Sequence, residues 1–130
     1  MHFHIQVTPV SDYRLAREKI TARAAADARV VHLTSGRLAE ALVFCEDAAE
    51  AQETQEEYSQ SETVSQRLAL VRIGDNGFIV DQECVEESRE VMIDFVKWVL
   101  QSFAPCKVFD LETQEDLSDV AAKDADVLFE

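Results

Sequence analysis

The sequence predicts a single α+β domain over residues 1–130, with a mixed or antiparallel sheet and helices packed mainly on one face. Three observations carry this. The stretch Cys84 to Phe103, CVEESREVMIDFVKWVLQSF, is apolar at helical spacing around most of its circumference. It runs into Pro105 and then straight into Cys-Lys-Val-Phe-Asp-Leu, which alternates as a strand does. No internal repeat, Gly/Ser linker or change of composition divides the chain, and 130 residues suit one core that buries roughly two thirds of the unfolded surface.

The long helix is the element the others are arranged around. Successive residues lie about 100° apart on a helix, which places Val91, Met92, Phe95, Val96, Trp98, Val99, Leu100 and Phe103 on one broad arc, with Ile93 at its margin. Only Glu90, Asp94, Lys97 and Gln101 remain as a polar wedge, and Asp94 and Lys97 are spaced to pair on it. Such a helix is expected to be largely buried. Pro105 stops it, because a fixed φ and a crowded preceding residue are incompatible with another helical turn.

From the start of the chain, Phe3, Ile5 and Val7 alternate with His2, His4, Gln6 and Thr8, predicting a strand that ends at Pro9. Ser11 is the expected N-cap of a helix through about Ala26, with Tyr13, Ala16, Ile20 and Ala24 on its core stripe. Ala28 to Leu33 reads as a second strand, closed by a Thr34-Ser35-Gly36 turn. Arg37 to Cys45 fits either a helix start or a strand. The strand is preferred, because Asp47 and Glu50 have the spacing of a capping box and would begin a helix after the apolar run. That helix should reach about Gln66 on the surface, since only Ala48, Ala49, Ala51, Tyr58 and Val64 are apolar. Arg67 to Ile73 and Phe78 to Asp81 form a hairpin through Gly74-Asp75-Asn76-Gly77, where Asn-Gly suits a tight turn with positive φ angles. After the central helix and the strand from Cys106 to Leu111, the tail carries a short helix with Leu117, Val120 and Ala121 toward the core. Val127 to Phe129 are left to dock or fray.

Charge is the feature that departs from an ordinary domain. The net charge is −14, with a balance of +3 over residues 1–37 and −17 over 38–130. A field of this sign repels nucleic acid and anionic membrane and attracts cationic partners. The start, MHFHIQV, lacks the pattern of a signal peptide, and no run has the about 18–20 apolar residues that span a bilayer, so a cytoplasmic location without membrane contact is expected. Cys45, Cys84 and Cys106 are odd in number and lack CxxC spacing, which predicts free thiols and no zinc site.

Motifs for chemistry are missing. There is no GxSxG elbow and no phosphate loop among only three glycines. Asp124-Ala125-Asp126 lacks the rest of a calcium loop. Glu86 and Glu90 are a pair of the kind that chance supplies among 26 acidic residues, and Glu83, Glu86, Glu87 and Glu90 together suit a helix N-terminus. His2 and His4 share a strand face, yet no third histidine and no cysteine follows at ligand spacing, so neither metal nor cofactor is expected. His32 and Trp98 are expected to serve packing and hydrogen bonding.

The remaining feature is an acidic ridge: Glu46, Asp47, Glu50, Glu53, Glu56, Glu57 and Glu62, with Tyr58 among them. No Lys or Arg occurs from Leu38 through Gln66, so like charges at i,i+3 and i,i+4 repel without local compensation. A solvated face that keeps the protein soluble is the simplest account. As a docking surface, the ridge would meet a basic protein, with Tyr58 as an amphipathic anchor among rim charges. In size, absence of a catalytic motif and acidic ridge the chain is similar to bacterial immunity or inhibitor proteins that sit against a nuclease-like toxin. This similarity implies a non-enzymatic inhibitor acting by occlusion. Other expectations are a DNA-mimic inhibitor of a nucleic-acid-binding complex and a small enzyme using Arg14, Arg17 or Arg23 on an anionic substrate. A homodimer in which the basic segment meets the acidic one is a further expectation.

Overall fold

A computed structural model describes residues 2–34, 40–62 and 68–130. The elements follow in the order β1 (His4–Pro9), α1 (Tyr13–Ala25), β2 (Val30–Leu33), β3 (Ala41–Phe44), α2 (Ala48–Ser61), β4 (Ala69–Ile73), β5 (Phe78–Asp81), α3 (Glu86–Ser102), β6 (Cys106–Asp110) and α4 (Ser118–Lys123), then a 3₁₀ segment, Ala125–Phe129. Six strands form one antiparallel sheet in the order β2-β3-β4-β5-β1-β6. The α+β class and the element order agree with the sequence reading, including the strand at Ala41–Phe44.

The alternation in each strand decides what lies on each face. Ile5, Val7, Leu42, Phe44, Ala69, Val71, Ile73, Phe78, Val80 and Val108 point to one face, where they form the main core with α1 and α3. Ala16, Ile20 and Ala24 supply the α1 stripe; Met92, Phe95, Val96 and Val99 supply that of α3. Leu117, Ala121, Leu128 and Phe129 join the same core. On the other face a smaller core of Val31, Leu33, Val43, Cys45 and Leu68 is covered by α2. Two apolar layers around a sheet are the usual solution to burying both of its faces.

Particular polar bonds lock these layers. The hydroxyl of Ser88 on α3 accepts the Ala69 N–H at 2.7 Å, tying the helix to the first residue of β4. Gln82 donates its side-chain amide to His2 O at 2.6 Å and to Leu128 O at 2.8 Å, and Arg89 donates to Gln82 Oε1 and to the Phe129 carbonyl. The end of the chain is therefore docked.

Several local expectations are corrected. Asp12, not Ser11, caps α1, accepting the Leu15 N–H at 3.1 Å. β2 begins at Val30. Lys97 pairs with Asp126 of the 3₁₀ segment and not with Asp94, because that segment crosses the exposed edge of α3. Val120 is exposed while Ala121 is buried, a rotation of the α4 stripe by one residue. The Gly74–Gly77 connection is closed by a Gly74 N–H to Gly77 O bond of 2.9 Å, and neither Asp75 nor Asn76 has a positive φ, so the turn is not of the primed kind. Gly77 is needed for a different reason: a Cβ there would lie 2.5 Å from Thr8 Oγ1 on neighbouring β1. The expected turn at Ser35-Gly36, the Arg37–Ala39 part of the third strand, the last turn of α2 beyond Glu62 and Arg67 lie outside the described residues.

Candidate functional site

The acidic ridge lies on α2 and its ends. Asp47 caps the helix by accepting the Glu50 N–H at 2.8 Å, while Glu50 Oε1 reaches back to the Glu46 N–H at 2.9 Å. The first bond satisfies an orphan amide of the opening turn, as in a capping box, while the return bond goes to the residue before the cap and not to the Asp47 amide. The helix closes at Glu62, whose φ of 56° places it in the left-handed region.

The apolar residues of α2 recur at Ala51, Thr54 and Tyr58, the i, i+3 and i+7 positions of one stripe, and all three are buried against the sheet. Thr54 donates to Glu50 O at 2.8 Å and sits beside Cys45 Sγ at 3.8 Å. Tyr58 is only 5% exposed. It belongs to the small core with Val31, Leu33, Val43 and Cys45, which corrects its expected place as an anchor among the surface charges. The stripe spacing was the available signal, masked by Thr54, whose hydroxyl reads as polar but is satisfied by the helix backbone.

Opposite the stripe, Glu53 and Glu56 are exposed. Glu46, Asp47 and Glu62 are exposed at the two ends, and Glu50 and Glu57 are half-buried along the flanks. None of these carboxylates has a Lys, Arg or His partner among the described residues. The arginines of α1 are engaged elsewhere. Arg17 pairs with Glu40, Arg14 stands 4.0 Å from Glu18, and the Arg23 guanidinium lies 4.4 Å above the Trp98 ring. The reason is architectural: α1 and α2 pack on opposite faces of the sheet, so the α1 arginines and the ridge carboxylates do not meet.

The arrangement is a spread of charge, since among the described residues the ridge carboxylates nowhere converge as three ligand atoms. An anion pocket on α1 does not assemble from the three arginines either. Arg23 lines a cleft of about 390 Å³ with Asp27, Arg29, Asp94 and Phe95, but Arg14 and Arg17 turn to their own carboxylates. Within that cleft Arg29 is paired with Asp27 at 2.9 Å, and this contact holds the Asp27 carboxyl below its ordinary range. His32 instead bonds Glu40 at 3.1 Å. No helix among the described residues is long and apolar enough to cross a membrane. Comparisons with protein-family models, curated proteins and solved structures return no match.

Proposed function

We propose that this chain is a small cytoplasmic binding protein that neutralises a basic protein partner, of the toxin or nuclease-like kind, by covering its substrate groove. One observation carries the reading: a helix whose buried stripe is fully used presents carboxylates that have no cation among the described residues of their own molecule. Like charges at helical spacing cost a little stability, and a cationic surface turns that cost into attraction. Complementary fields of this kind raise association rates to about 10⁸–10⁹ M⁻¹s⁻¹ at low salt.

In this mechanism Glu53 and Glu56 meet Lys or Arg side chains at the centre, with Glu46, Asp47, Glu50, Glu57 and Glu62 around them. Tyr58 acts from beneath by fixing the helix to the sheet. A 14-residue helix is ~21 Å long, too little for the roughly 800 Å² per partner of a stable interface. The same sheet face continues beyond α2 with Arg72 exposed and Ile79 and Phe109 half-buried, and this adjoining surface completes the contact.

Affinity capture from the native source tests the reading, comparing the unaltered chain with the E53K/E56K/E57K variant. A basic protein retained by the first and lost by the second, with retention falling steeply as salt rises, is the expected result. Equal capture by both moves the interface away from α2.

A further inference from the structure

Beside the start of β1, four side chains from three separate segments converge. His4 lies opposite Asp81 in the β1–β5 register, so their side chains share one face of the sheet. His4 Nε2 is 3.7 Å from Asp81 Oδ1 and 4.0 Å from Glu83 Oε2, and the three ligand atoms all lie within 4.8 Å of one another. From the other side, Glu112 Oε1 is 2.6 Å from His4 Nδ1.

The protonation pattern follows from these contacts. A carboxylate can only accept, so the short Glu112 contact places the ring proton on Nδ1. In the neutral ring, Nε2 then carries a lone pair toward Asp81 and Glu83. The two separations are too long for hydrogen bonds. They suit donors around one ion, since bonds of about 2.0–2.2 Å put neighbouring ligand atoms roughly 3–4 Å apart.

Glu112 is itself positioned. The Leu111 N–H donates to His4 O at 3.0 Å, and Asp110 Oδ1 accepts the Glu112 and Thr113 N–H groups at 2.8 and 3.1 Å. A carboxylate that orients a histidine through its outer nitrogen is the usual support of a metal ligand.

We infer that His4 Nε2, Asp81 and Glu83 form a binding site for a divalent transition-metal ion of the zinc type, with Glu112 orienting the histidine. Mixed imidazole and carboxylate donors favour such an ion over magnesium or calcium, which take oxygen ligands throughout. The side chains of His4, Asp81 and Glu83 are 36%, 24% and 41% exposed, so solvent reaches the ion and at least one position is left for water.

The chain, stripped with a chelator and titrated with Zn²⁺ by calorimetry at pH 7.5, tests the site. One saturable equivalent is expected, undisturbed by excess Mg²⁺. H4Q is expected to abolish binding, D81N to weaken it at least about tenfold, and E112Q, a positioning variant, to weaken it about 10–100-fold. The E53K/E56K/E57K variant should bind as the unaltered chain does, which separates this site from the ridge. Histidine ring NMR gives a readout that needs no variant: the His4 signals should shift on adding Zn²⁺ while those of His32 stay in place. Absence of saturable binding overturns the site. So does binding that is unchanged in folded H4Q and D81N, which would put the ion on dispersed surface carboxylates.

Discussion

The phenolic hydroxyl of Tyr13 donates to the carbonyl of Gly74 at 2.6 Å and lies 3.1 Å from that of Gly77, so the first residue of α1 clasps a hairpin turn 61 residues later. Its ring also packs on Phe78 with 5.4 Å between centroids. Burial raises the Tyr13 pKa above its ordinary value, against the lowering effect of nearby Arg17, and keeps the hydroxyl a donor.

Y13F should therefore keep the packing and lose the bonds. A cost of ~1 kcal/mol is expected from urea unfolding. G77A tests the same corner by overpacking: its new methyl would press on Thr8 Oγ1, and a loss of about 1–3 kcal/mol is expected. The T8A/G77A pair should recover part of that loss, because the hydroxyl in the way is then gone. A double variant no better than G77A would place the strain at the Val7 carbonyl, 3.1 Å from the added carbon.

On α2 the inward and outward residues should separate cleanly. Y58A empties part of the small core and is expected to cost about 3 kcal/mol. Reversal of Glu53 and Glu56 to Lys touches exposed carboxylates without cationic partners among the described residues. It should leave stability within about 0.5 kcal/mol, or raise it slightly by relieving repulsion. Thermal melts of both variants in one buffer check this. A large loss on reversal would show that the ridge serves the fold.

Acid stability should depend on Asp110. The His2 ring 2.5 Å away, followed by the Thr113 and Glu112 amides, holds this carboxyl down at about 2 against the opposing effect of burial. A folded-state pKa below the unfolded value of about 3.9 means that the stabilisation is complete above about pH 4 and is lost as pH falls toward 2. D110N lacks it at every pH. The stability gap between the two proteins, read from urea midpoints, should stay constant from pH 6 to about 4 and then narrow. A gap that persists undiminished at pH 2 contradicts the assignment.

Thiol reactivity should rank by environment. Cys45 is fully buried beneath α2, and burial pushes the half-buried Cys106 up to about 11. Since the thiolate is the reacting form, Ellman's reagent at pH 8 is expected to modify Cys106 of the folded chain slowly, with Cys45 protected until unfolding. Rapid modification of Cys45 by mass mapping would mean that α2 opens readily from the sheet.

What the sequence determined by itself is the hydrophobic period of each element, though not every cap and turn: Asp12 caps α1 in place of Ser11, and the Gly74–Gly77 turn is not of the primed kind. The broad arc of Met92, Phe95, Val96 and Val99, the β1 alternation of Ile5 and Val7 and the Asp47–Glu50 cap could all be read, because helices and strands impose their spacing on neighbours in the chain. The element order and the α+β class followed from these. Tertiary structure alone decided the rest. It buried Tyr58 by laying α2 across β2 and β3, and it kept the α1 arginines from the ridge by placing the sheet between them. It also brought His4 to Asp81, Glu83 and Glu112 through strand pairings that join residues about 80 to 110 positions apart. Register between distant strands is chosen by how whole faces pack, a property of the assembled sheet that no single stretch of residues encodes.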